Sequence, residues 1–470
     1  MKKYSLIFLL SICVYWGSMG QTKEEFNVLL IHVDDLGWAD IGVLGSDFYE
    51  TPFIDRLAAE GMLFRQSYAA AAICSPSRAA LMTGKYPARM GITDWIYARF
   101  QGVGTTGLPG EYAENPDQPL RTPKNQGFLP LEELTLAERM KTQGYTTFHV
   151  GKWHLGGEEN YPEKQGFDRN FGGNDLGQPP SYFDPYEPAT PTPFYAFDRV
   201  TPRDSGEFLT DREGDEIVNF LQNHVQKFFI HWAPYAVHTP LMAPQVLVEK
   251  YKQKPGGQQK NPVYAAMVEN LDQNVGKVLA ALDRLKLTEK TLVIFTSDNG
   301  GLMGNPTNPI TNNSPLRSQK GYPYEGGIRV PTVVKWPGKV AAGKRTELPI
   351  VTLDWTPTIL DYLGLNPQEQ GLDGQSLVGV LAGNTLESRD LFWHFPHYRG
   401  PDVVPYSIIR SGEYKLIHYF GMQPDELFSL ANDPYETTNL ADQLPDLVAK
   451  LKSSLQAWWL ETGARMPQKK

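Results

Sequence analysis

Four short apolar runs, each ending in a knot of polar residues, constrain the fold of this chain more than any other feature of its sequence. Asn27 to Val33 (NVLLIHV) runs into Asp34-Asp35, and Thr146 to Val150 (TTFHV) into GKWHLG, with Lys152 and His154. Lys227 to Trp232 (KFFIHW) is followed by APYAVHTP, with His238, and Thr291 to Thr296 (TLVIFT) by SDNGG, with Asp298 and Asn299. Near-continuous apolar runs of this length suit strands buried on both faces. Helical patterns such as LEELTLAERMKTQG and YAAMVENLDQNVGKVLAALDRL lie between them. The alternation predicts an α/β fold, a large mostly parallel sheet flanked by helices. Ligands of such sheets bind beyond the carboxyl ends of the strands. Singly, Asp34-Asp35 and DNGG also fit plain turns, and a lone histidine fits a surface. Together, four strands would bring their polar residues to one rim.

Residues 1–20 read as a secretory signal peptide: Lys2 and Lys3, the apolar run Tyr4 to Trp16, then Ser18-Met19-Gly20 before Gln21. Cleavage is expected after Gly20, with export to the periplasm or the cell exterior. Cys13 raises the alternative of a lipoprotein signal, but the bulky Ile12 stands where such signals favour a small residue. No later stretch approaches the roughly 20 apolar residues of a membrane span. The formal net charge of −9 argues against nucleic acid or an anionic membrane as a partner, because those select basic surfaces. Residues 21–377 carry the alternating pattern and form one expected domain. Residues 378–470 differ: Tyr406 to Phe420 and Asp425 to Leu430 read as antiparallel strands, and Leu444 to Gly463 as a closing amphipathic helix. They form an expected small C-terminal α+β subdomain. Pro/Gly-rich stretches at Gly102 to Gly127 and Gly177 to Asp204 are expected to be pocket-forming loops.

Once Cys13 leaves with the signal, Cys74 remains alone and can form no intramolecular disulfide. A small buried hydrophobe is the commonest fate of such a residue, but its neighbours point elsewhere. Ser75 can cap a helix, Pro76 suits the first helical position, Ala79-Ala80-Leu81-Met82 propagates it and Gly84 can stop it. Cys74 is thereby expected at a helix N-terminus, where free N–H groups favour an anion, with Arg78 about one turn further in. Asp34, Asp35, Asp298 and Asn299 are hard oxygen ligands suited to Ca²⁺ or Mg²⁺, and neither an H-x-x-x-H motif nor a second cysteine is present for zinc. Arg78, Lys152, His154 and His238 are cationic or titratable. A hard dication ringed by cations implies an anionic substrate with several oxygens.

Cys74 to Gly84 (CSPSRAALMTG) resembles the signature C-x-P-S-R, followed by a hydrophobic pair and T-G, of the type I sulfatases of the alkaline phosphatase superfamily. Val33 to Gly42 (VDDLGWADIG), Gly151 to Gly156 (GKWHLG), His238 to Pro240 (HTP), Ser297 to Gly301 (SDNGG) and Lys320 to Pro331 (KGYPYEGGIRVP) resemble the family's other blocks, in the family's order. The resemblance covers nearly the whole chain after residue 20. It implies an alkaline phosphatase-like fold with residues 21–377 as catalytic domain, and a maturation enzyme that oxidises Cys74 to Cα-formylglycine before folding. One hydroxyl of the hydrated aldehyde attacks the sulfur of a sulfate ester; the other then loses its proton and expels the sulfate, a second step that a serine could not complete. The same likeness gives Asp34, Asp35, Asp298, Asn299 and the modified Cys74 one Ca²⁺ to hold. It gives Arg78 and Lys152 the formylglycine oxygens, Lys320 a sulfate oxygen, His238 the role of acid for the leaving oxygen and His154 that of base for the elimination. The alternatives are a phosphodiesterase or phosphonate hydrolase of the superfamily, and a catalytically silent carbohydrate-binding relative with an unmodified Cys74.

The substrate class implied is a sulfated carbohydrate, of galactose or N-acetylgalactosamine type, from an extracellular polysaccharide or glycosaminoglycan. Trp95, Tyr97 and Arg99 after the signature, and Phe392 to Gly400 (FWHFPHYRG) in the C-terminal part, offer aromatic faces and polar groups suited to sugars. Arg99, His394, His397 and Arg399 are the candidates to reach hydroxyls of the sulfated ring. Trp393 and Phe395 fit packing of the subdomain equally well.

Overall fold

The computed structural model describes residues 25–96, 111–114, 117–188, 197–201, 203, 205–224, 226–421 and 423–470. Its large sheet has eight strands: β1 (Asn27–Val33), β2 (Met62–Phe64), β3 (Thr146–Gly151), β4 (Arg169–Phe171), β5 (Phe228–Ala233), β6 (Thr291–Ser297), β7 (Thr332–Lys335) and β8 (Lys344–Thr346). Their spatial order is β8-β2-β7-β6-β1-β5-β3-β4. β1 runs parallel to β5 and β6, and β3 parallel to β5 and β4. Only β7 opposes its neighbours. The four apolar runs thus become four adjacent parallel strands, β6-β1-β5-β3, with their carboxyl ends on one rim.

These strands read as unbroken apolar runs because both faces of the sheet are covered. Alternate side chains of β1 enter different layers: Val28 and Leu30 join one hydrophobic cluster, Leu29, Ile31 and Val33 the other. α1 (Cys74–Thr83), buried along its whole length, belongs to the first layer. α2 (Leu209–Asn223) and α3 (Pro262–Arg284) supply the second.

The C-terminal sheet contains β9 (Leu391–Phe395), β10 (Tyr406–Ser411), β11 (Tyr414–Tyr419) and β12 (Glu426–Ser429), paired antiparallel in that order. α4 (Pro445–Thr462) turns Leu451, Leu455 and Trp458 inward, and Trp458 stacks on Phe392 with ring centroids 5.0 Å apart. This sheet is bolted to the first layer. Trp393 Nε1 donates to Ala69 O at 2.7 Å, and the fully buried Lys415 of β11 sits between Glu325 and Glu436, 3.1 and 2.8 Å away. The loop after β9 is thereby fixed beside the N-terminus of α1. Among the described residues, no helix is long and apolar enough to cross a membrane.

Candidate active site

α1 begins at Cys74 itself, with Ile73 in the N-cap position, and ends as the sequence predicts at Gly84, φ 71°. Ser75 is not the cap expected of it. Its Oγ accepts the Ile96 N–H at 3.0 Å, a tertiary contact that outcompetes the local one. Arg78, one turn in, aims its guanidinium at the strand ends: Nε and Nη2 lie 2.8 and 2.7 Å from Asp298 Oδ2, and Nη1 donates to Lys152 O at 3.0 Å.

The rim assembles the rest. Lys152 Nζ lies 2.8 and 2.7 Å from the two oxygens of Asp34. Lys320 Nζ is 2.6 Å from Asp35 Oδ1, to which Asn299 Nδ2 also donates at 2.8 Å. The Asp35 N–H donates to Asp298 Oδ1 at 3.1 Å, and Cys74 Sγ is 3.8 Å from Asp34 Oδ1. Asp35 and His154 both hold φ 60°, a left-handed conformation that side chains other than glycine adopt only when their surroundings impose it. Three carboxylates, Asp34, Asp35 and Asp298, face three cations, Arg78, Lys152 and Lys320, all of them buried.

Burial sets the protonation of the cluster. It pushes Asp34 up to about 7 in spite of Lys152. For Asp35 burial works upward too, but Lys320 outweighs it and holds the carboxyl low. Arg78 and Lys152 do the same for Asp298. Burial pushes the Cys74 thiol up against the pull of Lys152 and Lys320, so an unmodified Cys74 carries its proton and is a poor nucleophile.

The two histidines are neutral. Burial and then Lys152 push His154 well below the imidazole range. Its Nε2 donates to Ile96 O at 2.9 Å, which leaves Nδ1 as a buried lone pair with no hydrogen-bond partner. Burial and Lys320 push His238 down to about 3. Its Nδ1 donates to Thr239 O at 2.9 Å, and its Nε2 stands 3.5 Å from Asp35 Oδ2.

The cluster also has oxygen to spare. Asp35 Oδ2 and Asn299 Oδ1 are buried without hydrogen-bond partners. One ligand atom from each of Asp34, Asp35, Cys74 and His238 lies within 4.8 Å of the others. Orphaned hard oxygens among carboxylates are the donor set of a hard divalent cation, and these residues fit one.

A cavity of about 840 Å³ opens onto the cluster and is lined by Cys74, His154, His238 and Lys320 together with Asp94 and Arg399. Trp95 lines it too; Tyr97 and Arg99 lie outside the described residues. His394 and His397 are not brought to its wall. His394 stands opposite Ser407 in the β9–β10 register, so its Nδ1 bonds Ser407 Oγ at 2.7 Å and its Nε2 takes Arg465 O at 3.0 Å. His397 Nε2 pairs with Thr93 Oγ1 at 2.8 Å, and its ring packs on Phe395. Burial pushes both histidines down, to about 4 and about 3, and they serve as neutral packing groups. Trp393 and Phe395 are buried in the same packing. Asp94 is not among the residues the sequence singles out, and Gly177 enters only as the first residue of a stretch expected to form a pocket loop. Asp94 adjoins Trp95 and could have been found with it, whereas nothing in the chain signals that Gly177 lies against the His154 ring.

A family model described as Sulfatase matches residues 26–365, and one described as N-sulphoglucosamine sulphohydrolase, C-terminal, matches residues 318–460. A protein of Formosa agariphila named sulfatase is 33% identical, with 99% of this chain and 95% of its own length aligned. The dog N-acetylgalactosamine-6-sulfatase is 34% identical over 85% of this chain and 72% of its own. Among solved structures, Ps i-CgsB in complex with k-i-k-neocarrahexaose superposes with a TM-score of 0.76 at 29% identity, covering 92% of each chain.

Proposed function

Because this chain belongs to the sulfatase family and is a sulfuric ester hydrolase, we propose that it removes sulfate from a carbohydrate of galactose or N-acetylgalactosamine type in the cavity that holds Cys74. The observation that carries the reading is the meeting, on one cavity wall, of Cys74 and a buried cluster of three carboxylates and three cations. The names of an N-acetylgalactosamine-6-sulfatase and of a carbohydrate-bound structural neighbour support the sugar class. Residues 1–20 are read as the export signal that brings the enzyme to such polymers.

In this reading a maturation enzyme oxidises Cys74 to Cα-formylglycine, which supplies the hydrated aldehyde that a protonated thiol cannot replace. Asp34, Asp35, Asp298, Asn299 and the modified Cys74 would hold Ca²⁺, which would supply two positive charges to an otherwise balanced cluster and polarisation of the ester. Arg78 and Lys152 orient the formylglycine oxygens, and Lys320 holds a sulfate oxygen against the charge that develops on it. His154 takes a proton on Nδ1, the one ring position its hydrogen bond to Ile96 leaves open. His238 gives a proton from Nε2 to the leaving oxygen. The negative charge of the bound ester raises it toward the range where it can do so.

Sulfate release from a panel of sulfated mono- and oligosaccharides, run beside p-nitrophenyl sulfate and a phosphate diester, tests the proposal. Turnover of at least one galacto-configured sulfate with kcat/KM above that for p-nitrophenyl sulfate is expected. Hydrolysis of aryl sulfates with no sulfated sugar turned over would refute the carbohydrate assignment.

A further inference from the structure

The cavity wall carries two further ionisable side chains, an acid and a base, that the catalytic cluster does not use. Asp94 lies in the segment that follows α1, and that segment is clamped. Asn125 Oδ1 accepts the N–H groups of Thr93 and Asp94 at 2.9 and 3.0 Å, and its Nδ2 donates to the carbonyls of Asp94 and Trp95 at 2.9 and 3.1 Å. Two residues on, Ile96 is tied through its N–H to Ser75 and through its carbonyl to His154. Asp94 is therefore held in fixed relation both to the residue after Cys74 and to the expected base. Its Oδ1 accepts the Trp95 N–H at 2.8 Å; its Oδ2 has no partner among the described residues.

Arg399 comes from the C-terminal subdomain, in a turn closed by Arg399 N–H to Val403 O at 3.0 Å and Val403 N–H to Arg399 O at 3.3 Å. Its side chain rests on Gly321. A Cβ there would lie 2.6 Å from Arg399 Nε, so only glycine leaves the guanidinium its place. Gly321 follows Lys320 in sequence, and its N–H donates to Ala72 O at 2.7 Å, two residues before Cys74. Arg399 thus stands on a platform joined to both the sulfate-holding lysine and the nucleophile. Among the described residues its guanidinium makes no ion pair, and although it acts on Asp94 through space it does not touch it.

We infer that Asp94 and Arg399 form a subsite that reads neighbouring hydroxyl groups of the sulfated ring, Asp94 bonding one and Arg399 donating to the next. A half-buried carboxyl and a half-buried guanidinium that share a cavity without meeting are each left short of hydrogen bonds, and a ligand with adjacent hydroxyls satisfies both. Burial pushes Asp94 up to about 7; where it is ionised the opposite charges balance, which favours a neutral polar group over a second anion, since a second sulfate or carboxylate near Arg399 would also face Asp94. A hydroxyl both donates and accepts, so it suits Asp94 in either protonation state. This inference rests on the carbohydrate reading above and names the residues that select the sugar.

The test compares the wild-type enzyme with Asp94→Ala, Asp94→Asn, Arg399→Ala and Arg399→Lys. The substrates are a monosulfated methyl galactoside, its deoxy analogues lacking one ring hydroxyl each, and p-nitrophenyl sulfate. Each alanine variant is expected to lose kcat/KM on the galactoside by about ten- to a hundredfold, the range of a hydrogen bond to a charged group, and by at least tenfold more than on p-nitrophenyl sulfate. For one deoxy analogue per residue the wild type should show the same loss, with no further loss on substitution. The asparagine and lysine variants, which keep size and polarity, should fall between and so separate lost recognition from lost folding. Equal losses on sugar and aryl substrates overturn the subsite while leaving the carbohydrate reading intact. A loss in Arg399→Ala confined to disulfated substrates overturns it in favour of an anion site. A wild type that cleaves aryl sulfate and no sugar sulfate removes the reading itself.

Discussion

Gly177→Ala adds one methyl group beside His154 and removes no functional group. A Cβ at position 177 would lie 2.8 Å from His154 Cε1 and 3.0 Å from Nε2, where carbon atoms at rest sit about 3.5 Å or more apart. The ring must therefore retreat by roughly 0.7 Å. It has little freedom to do so, because Nε2 is bonded to Ile96 O at 2.9 Å and the His154 N–H to Asn174 O at 3.0 Å. The φ of Gly177 lies outside the left-handed region, so the backbone accepts alanine and the strain falls on the imidazole. A displacement of this order at a proton-transferring group costs about ten- to a hundredfold in rate. The assay is kcat and KM on p-nitrophenyl sulfate for Gly177→Ala, His154→Ala and the double variant, with thermal melts as a check on folding. The expected result is a fall in kcat at near-constant KM, and no further fall when Gly177→Ala is added to His154→Ala. A kcat within twofold of wild type, or the same fractional loss in both backgrounds, would refute the reasoning.

Three further outcomes are expected. Mass analysis of the Cys74 peptide from active enzyme should find formylglycine, and Cys74→Ser should give at most one turnover; fully active enzyme containing only the thiol would end the idea. Exhaustive chelation should abolish turnover, Ca²⁺ should restore it, and Asp298→Ala should resist rescue; full activity after chelation contradicts the metal assignment. Lys415→Met leaves Glu325 and Glu436 buried without their shared cation, a loss of about 3–5 kcal/mol, or about 3–5 °C in Tm for a chain of 470 residues. Burial pushes Glu436 from the usual 4.5 up to about 7, so the stability it contributes is present below 4.5 and is lost as pH rises through 7. Loss of Lys415 raises it further, and the Tm deficit should be larger at about pH 8 than at about pH 5; a pH-independent deficit tells against the mechanism.

The sequence by itself determined the strands and the polar residues at their ends, because both are written in consecutive residues. A strand covered on both faces is apolar at most positions, so β1, β3, β5 and β6 announce themselves, and the parallel sheet then brings Asp34, Asp35, Lys152, His238, Asp298 and Asn299 to one rim. The α1 motif was legible for the same reason, its boundary being local down to Gly84. Pairings between distant segments were decided only by the tertiary structure. Whether Ser75 caps a helix or takes the Ile96 N–H depends on where a later loop comes to rest. His394 and Arg399 belong to the same short stretch, yet one meets Ser407 across a strand and the other lands on a glycine beside Lys320. Nothing local separates them, because a polar side chain takes its role from the partner that burial brings to it, and that partner lies elsewhere in the chain.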